Sequence, residues 1–419
     1  MAGVNIPNVG LAYTRYLGGV VETLNMVSKG RTLTKQDDNW TGDHIEGRVH
    51  VRPSGAIGPT EDGGAFSTAN KQTYVPFKAY RKFIQGAIQL TDGVMAAASG
   101  TENVAKDVTT SEVKGLMKEL LKLENLFLFR DGTGSMAQLK DAAPGSTTNN
   151  VAVTDTRGLW EGVTYELYDS AAASYAAAAD PTGTARSTGM VISAVDQALT
   201  SSNYTVDFTA ALPSTAEQYD HLVWKGGLNR APTGLDALVD DASGTFQAVN
   251  TTTYPKYTSL VLDNSGTNRD LTPTLFRQML AGLMQKSGND RPSDGLTVMC
   301  NSWQAINVEE LYEGELRLTS DSKVGGMAVT SFQSALGRID IVVDVDCLHN
   351  KMFFVDFSKI YRAVQKPLSW RKEGGQIFKR SDSAGVWTAT ALEVFDYYIK
   401  ERHTCGKIED LNQSPVVSG

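Results

Sequence analysis

The stretch from His44 to Gln85 restricts what this chain can fold into more than any other. Ile45, Val49 and Val51 alternate with His44, Glu46, Arg48, His50 and Arg52, the period of two that marks a strand. A second arm, Thr73 to Gln85, sets Val75, Phe77, Ala79 and Phe83 opposite Lys78, Tyr80 and Lys82. Between the arms runs Pro53 to Asn70, carrying Pro53, Gly55, Gly58, Pro59, Gly63 and Gly64. That connection is too long for a tight hairpin turn, and long structureless loops are uncommon inside compact domains. A two-stranded ribbon is at best marginally stable alone. The expectation is therefore a ribbon that leaves its own subunit and lies on another.

With 419 residues, the chain has room for two or three domains and a well-buried core. No run approaches the roughly 20 apolar residues of a membrane span, and MAGVNIPNVG lacks the basic start and apolar run of a signal peptide. Cys300, Cys347 and Cys405 are scattered and form no CxxC pair, which points to a reducing compartment. The net charge of -8 argues against a protein that wraps nucleic acid with a basic surface. It is compatible with a container, because a mildly acidic wall does not hold DNA to itself.

Residues 1 to 43 are polar with scattered apolar anchors, and Leu17, Val20, Val21 and Leu24 fit one short helical face. This segment reads either as a frayed terminus or as an arm reaching a neighbour. A short Ala-rich helix is expected from Thr91 within Leu90 to Ser99. Thr109 and Glu112 form a capping box ahead of the longest helix, Ser111 to about Phe129, closed by Asp131-Gly132. That helix would be a rod roughly 28 Å long at about 1.5 Å per residue. Residues 131 to 155 read as loop. Val163 to Tyr168, Gly189 to Val195, Tyr204 to Phe208 and His221 to Trp224 read as short strands of a small barrel or sandwich inserted over 158–226. In the last third, Thr272-Pro273 starts a helix with an apolar stripe ending at Gly288, and Ser302 caps another. Leu296 to Cys300, Ile339 to Val345, Met352 to Val355 and Val386 to Ile399 are strands. The fold class is α+β.

Chemistry is sparse. The five histidines fall in no HExxH or other paired-ligand spacing. Asp344, Asp346 and His349 are the best metal candidates, since alternate residues of a strand share a face; a solvated strand end is the preferred reading, and no metal or cofactor is expected. Asp131-Gly-Thr-Gly-Ser follows a helix instead of a strand, the wrong setting for a phosphate loop. No GxSxG or GxxxxGK[ST] occurs, and no catalytic residue is assigned. Phe77 to Phe83, and Trp370-Arg-Lys with Phe378-Lys-Arg, combine bases with aromatics and could bind nucleic acid. Given the negative net charge, contact with carboxylates of a neighbouring subunit is preferred.

Several segments resemble, in order, a tailed-phage major capsid protein of the Hong Kong 97 type. GRVHVRPSGAIGPTEDGGAFSTANKQTYVPFKAYRKFIQGAIQLTDGVM looks like that family's extended loop, and SEVKGLMKELLKLENLFLFRDGTG like its spine helix. GGLNRAPTGLDALVDD and DLTPTLFRQMLAGLMQKSGNDRPSDGLTVMCNSWQAINVEELY are similar to the axial domain, and GRIDIVVDVDCLHNKMFFVDFSKIY to the return into the peripheral domain. The resemblance implies an N-terminal arm (1–43), an extended β-hairpin loop (44–85), spine helix and part of the peripheral domain (86–157), the inserted β-domain (158–226), a mainly axial domain (227–356) and a return to the peripheral domain (357–419). It implies a structural protein without turnover. Its copies would form hexamers and pentamers of an icosahedral virion shell around double-stranded DNA held without sequence-specific contacts, assembled in the bacterial host cytoplasm. An encapsulin-like nanocompartment is the alternative.

The short segment before the ribbon leaves no room for a built-in scaffolding domain of about 50 residues or more. A separate scaffolding protein and a portal are therefore expected partners, with a decoration protein outside and no membrane. The tip Pro53 to Asn70 holds no lysine, so no self-formed isopeptide crosslink is expected there. Arg48, Arg52, Glu61, Asp62, Lys78, Arg81 and Lys82 are the candidate inter-subunit contacts.

Overall fold

The structure is a computed structural model. It describes residues 30–62, 64–65, 68, 70–93, 104–141, 144–170, 181, 183–196, 204–288, 295–312, 331–334, 337–372, 374–380 and 385–412. The expected N-terminal helix around Leu17 to Leu24 lies outside them, as does most of the one expected over Leu90 to Ser99; Leu90 and Thr91 end a strand, and Asp92 and Gly93 directly after them are helical. The chain divides into two compact units. The smaller takes in Gln85–Lys122 and Leu368–Glu393; the larger takes in Ser28–Ile84, Leu123–Pro367 and Val394–Gly419.

Strand Lys82–Thr91, most of which is in the smaller unit, pairs with strand Val386–Ile399, which begins there, and Lys379–Arg380 pairs antiparallel with Trp387 and Thr388. The Asp92 carboxylate caps this sheet, accepting from Trp387 Nε1 at 2.6 Å and Arg380 Nη2 at 2.7 Å. Gly86 lies where a Cβ would meet Leu116 at 2.8 Å, so strand and long helix approach closely only because this residue is glycine.

The long helix is Val104–Leu128. It starts well ahead of Thr109 and Glu112, which therefore lie in the helix interior and not at its start. Its last turn, in the larger unit, is sealed from solvent: Leu126 and Leu128 are fully buried. Gly132, at φ 91°, takes the left-handed conformation that ends the segment, as the Asp-Gly pair implied.

Within the larger unit, six antiparallel strands form one sheet in the order Ser135–Gln138, His221–Trp224, Thr164–Tyr168, Ala185–Asp196, Tyr204–Phe208, Val151–Val153. The two end strands meet as well. Lys140 N donates to Ala152 O at 2.8 Å and Thr154 N to Gln138 O at 2.9 Å, beside a Leu139–Val153 bridge. The sheet is thus a closed barrel, and closure removes its edges. Met136, Leu139, Val151, Val153, Tyr165, Leu167 and Ile192 are wholly buried. The barrel begins at Ser135, not near 158. The residues read as loop supply two of its strands, which are too short and too rich in small residues to show a period by themselves.

A second six-stranded sheet is mixed, in the order Leu260–Leu262, Gly406–Ile408, Met352–Asp356, Leu296–Cys300, Gly337–Val343, Ser331–Ser334. Helix Pro273–Ser287 covers it through Phe276, Met279, Leu280 and Leu283. The Thr272 hydroxyl accepts from Leu275 N at 3.2 Å, and Gly288 ends the helix at φ 70°, as the sequence implied. Helix Ser302–Tyr312 is capped one residue earlier than expected: Asn301 Oδ1 accepts from Trp303 N at 3.1 Å. The strand Ile360–Trp370 had no signal in the alternation, because its first half is buried on both faces.

Candidate assembly surface

The ribbon consists of His44–Arg52 and Thr73–Tyr80, antiparallel, with Glu46 opposite Lys78, Arg48 opposite Pro76 and His50 opposite Tyr74. The period of two holds. Ile45, Gly47, Val49 and Val51 are half-buried, while Glu46, Arg48, His50 and Arg52 face solvent. The second arm is shorter than Thr73 to Gln85. The chain breaks at Arg81 and the side-chain phase shifts, so Phe83 is 55% exposed and Ile84 is buried. Arg81 lies over the Phe83 ring, 5.7 Å from its centre.

The stem of the ribbon rests on its own subunit. Phe77 and Ala79 are buried among Trp40, Val249, Tyr257, Ala363 and Tyr398, with Phe77 stacked on Tyr398 at 5.6 Å. Gly47 lets the Phe77 ring cross the first strand, since a Cβ there would come within 2.2 Å of it. A strained turn holds the second strand: Gln247 (φ 46°) and Ala248 (φ 68°) are both left-handed without being glycine. That turn places Gln247 O to accept from Lys78 N at 2.7 Å, and Gln247 Nε2 donates to Tyr397 O at 3.0 Å. So the expectation of a ribbon lying wholly on another subunit is corrected for the stem. In the connection between the strands, Ile57 is 88% exposed.

The seven candidate contact residues divide into two groups. Lys78 lies 3.7 Å from Glu46, Arg81 3.2 Å from Asp43, and Lys82 Nζ donates to Asn229 O at 2.8 Å. Those three are engaged within the chain. Arg48, Arg52, Glu61 and Asp62 are exposed and meet no ionic partner among the described residues. On the outer face His44 packs on Tyr80 at 5.6 Å and His50 on Tyr74 at 5.1 Å. Phe77, read as a residue that might stack on bases, is buried at 4% exposure and closed to them.

Beneath the stem, the end of the long helix is fixed by buried ions. Glu124, fully buried, accepts from Arg31 Nε at 2.6 Å, from Arg362 Nε, and from Tyr397 OH at 3.3 Å. Beside it, Asn125 Nδ2 donates to Asp346 at 2.6 Å and to Asp344 at 3.2 Å, and Gly30 N donates to Asp344 at 2.8 Å. Asp344 and Asp346 do share a side, but they are 3% and 1% exposed, not a solvated strand end. Their oxygens are engaged by this amide and backbone. His349 turns away to the barrel, stacked on Tyr204 at 5.2 Å with its Nε2 2.9 Å from the tyrosine oxygen. Burial, aided by Arg157, holds its pKa down to about 4. The three residues are therefore not one site. Among the described residues no group of three or more His, Cys, Asp or Glu is placed to hold a metal, and no helix is long and apolar enough to cross a membrane.

Near the ribbon's exit, Asp396 accepts from Thr233 N at 2.8 Å, and burial raises its carboxyl to about 7. The seat formed by Trp40, Val249, Tyr257 and Tyr398 had no sequence signal, because its members come from four distant segments. Trp40, a lone large apolar residue just before the ribbon, was the one available hint.

Comparison with known proteins completes this picture. Residues 223–394 match the family model described as SU10 major capsid protein. Among solved structures, the chain is similar to that of the cyanophage A-1(L) capsid asymmetric unit, at 12% identity and a TM-score of 0.59, covering 97% of this chain and 99% of that one. It is also similar to the capsid chain of a native GTA particle, at 10% identity and a TM-score of 0.53, covering 97% and 98%. No curated protein matches the sequence. The fold is thus the Hong Kong 97-like capsid fold. Beyond the fold, residues 223–394 carry a sequence likeness to the SU10 major capsid protein.

Proposed function

We propose that copies of this chain form the hexamers and pentamers of an icosahedral shell that encloses double-stranded DNA without sequence-specific contacts and performs no catalytic turnover. The observation that carries this reading is the split within the ribbon: a stem packed like a domain core, and a tip with Ile57, Glu61 and Asp62 exposed. An isolated subunit gains nothing from such a tip, whereas a neighbour's surface would cover it. The sheet of Leu296–Cys300 with its two helices is the axial domain in this reading, and the long helix is the spine. Arg48, Arg52, Glu61 and Asp62 act between subunits; Lys78, Arg81 and Lys82 hold the ribbon to its own. A separate scaffolding protein and a portal assist assembly in the host cytoplasm, and a decoration protein docks outside.

Electron microscopy of the purified chain under assembly conditions tests the shell: closed particles are expected, and soluble monomers throughout would refute it. Deleting Ser54 to Ala69 tests the ribbon. The subunit should fold with nearly unchanged stability and fail to form shells. A deletion that does not fold would show the tip to be part of the core.

A further inference from the structure

We infer that the groove under the first ribbon strand binds a compact chain of phosphoryl groups at the end where Lys256, Lys286, Lys400 and His403 converge. The inference goes beyond the shell reading and does not rest on it.

The four residues come from three segments that pack together. Lys256 lies in the turn Pro255–Tyr257, Lys286 in the last turn of helix Pro273–Ser287, and Lys400 and His403 in the stretch that leaves strand Val386–Ile399. Lys286 Nζ ties two of these segments, donating to Thr258 Oγ1 at 3.0 Å and to Ser259 O at 2.6 Å. All four residues line one groove of about 1220 Å³, walled on its other side by the strand His44–Arg52. The amines of Lys256, Lys286 and Lys400 have no carboxylate partner among the described residues. Lys400 Nζ lies over the Tyr361 ring, 4.0 Å from its centre. The acids in the groove are already engaged: Asp37 accepts from the Tyr398 hydroxyl at 2.9 Å, Glu46 lies 3.7 Å from Lys78, and Glu401 lies 2.8 Å from Lys359.

Positive charge thus gathers at one place on a chain whose net charge is -8. Burial lowers the pKa of the Lys286 amine, and Arg402 lowers it further against the pull of Asp241. Burial lowers His403 as well, and Lys286 and Lys359 add to this against the pull of Glu401. Like charges that repel one another in this way are relieved by an anion set among them. A single carboxylate would balance one of the three amines. A chain of phosphoryl groups carries several charges in a short span, and lysine meets phosphate as a point charge. Lys286 and His403 are half-buried, so the occupant must be narrow enough to pass under the ribbon strand, which a rigid duplex is not.

The probe is inorganic tripolyphosphate, added to the full chain in dilute salt. It should raise the unfolding midpoint in a saturable way, because a ligand bound by the folded state alone stabilises that state. The rise should fade as salt is added. Acetylation of the amines, read by mass spectrometry, locates the site in the unaltered chain. Tripolyphosphate should slow acetylation of Lys256 and Lys286 several-fold and leave Lys225, exposed at the end of a barrel strand, unchanged. Lys256→Gln, at an exposed position, should weaken binding about ten-fold with stability kept. Lys286→Gln should abolish binding; if that variant does not fold, the protection pattern and Lys256→Gln still decide. ATP in place of tripolyphosphate separates two sources of the same chemistry: equal affinity assigns the site to inorganic polyphosphate, and tighter binding of ATP assigns it to a nucleotide. No shift of the midpoint, protection that extends equally to Lys225, full affinity in Lys256→Gln, or protection by duplex DNA alone would each overturn the site. All of these outcomes leave the shell reading untouched, since particle formation tests it separately.

Discussion

The ribbon and the barrel are made of the same material, antiparallel strands of alternating residues, and deal with their open edges in opposite ways. The barrel closes on itself through Lys140, Ala152, Thr154 and Gln138, so its backbone groups and its apolar interior are satisfied by its own six strands. The ribbon has only two strands. It borrows a floor from Trp40, Tyr257 and Tyr398 and a latch from Gln247, and leaves its tip unmatched. A self-sufficient module can be inserted in a chain without altering what surrounds it. A dependent ribbon ties its subunit to whatever completes it.

That contrast can be broken at several points, which follow from the largest expected effect to the smallest. Phe77→Ala removes a buried ring from the seat and should cost about 3–5 kcal/mol, read by denaturant unfolding, and should also abolish assembly by freeing the stem. Leu222→Ala, fully buried in the barrel, should cost about 2–5 kcal/mol yet leave particle formation intact at temperatures where the chain stays folded. If Leu222→Ala blocked assembly as thoroughly as Phe77→Ala, the two regions would not be separable in function.

The two regions should also respond to pH with opposite signs. His349 at the barrel has a folded pKa held down to about 4, so its contribution is complete above its ordinary value of 6.5 and lost as pH falls through 4. The loss should approach about 3 kcal/mol, and His349→Gln should remove that acid sensitivity. Asp396 near the ribbon's exit is raised from 3.8 to about 7, so its contribution is complete below 3.8 and lost as pH rises through 7. Asp396→Asn should flatten the stability profile between those values; an unchanged slope would sink the assignment. The smallest effect is a gain. Ala248→Gly relieves a left-handed alanine in the turn that latches the ribbon and should stabilise by about 0.5–1 kcal/mol, seen as a small rise in unfolding midpoint with assembly unchanged.

Local patterns and tertiary placement contributed differently to what could be read beforehand. Tyr204–Phe208 falls where it was expected because its side chains alternate with the period of a strand, and His221–Trp224 and Leu296–Cys300 because short apolar runs mark buried strands. The Thr272 cap and the Gly288 stop were legible because capping is a contact between residues three or four apart. Asn301 displaced Ser302 as a cap because both are good caps, and only backbone geometry chooses between neighbours. The barrel's first strands were missed because Ser135–Gln138 and Val151–Val153 are too short to carry a period.

The amino-acid order by itself determined that a two-stranded ribbon exists and which of its faces is polar. Those are properties of neighbours along the chain. The tertiary structure alone decided that the stem is seated on Tyr257 and Tyr398, that Asp344 and Asp346 are engaged by Asn125, and that Arg48, Arg52, Glu61 and Asp62 lack ionic partners among the described residues while Lys78, Arg81 and Lys82 have them. Each of these depends on residues brought together from tens to hundreds of positions apart. Short-range periodicity carries no record of such meetings, because many distant pairings are compatible with the same local pattern.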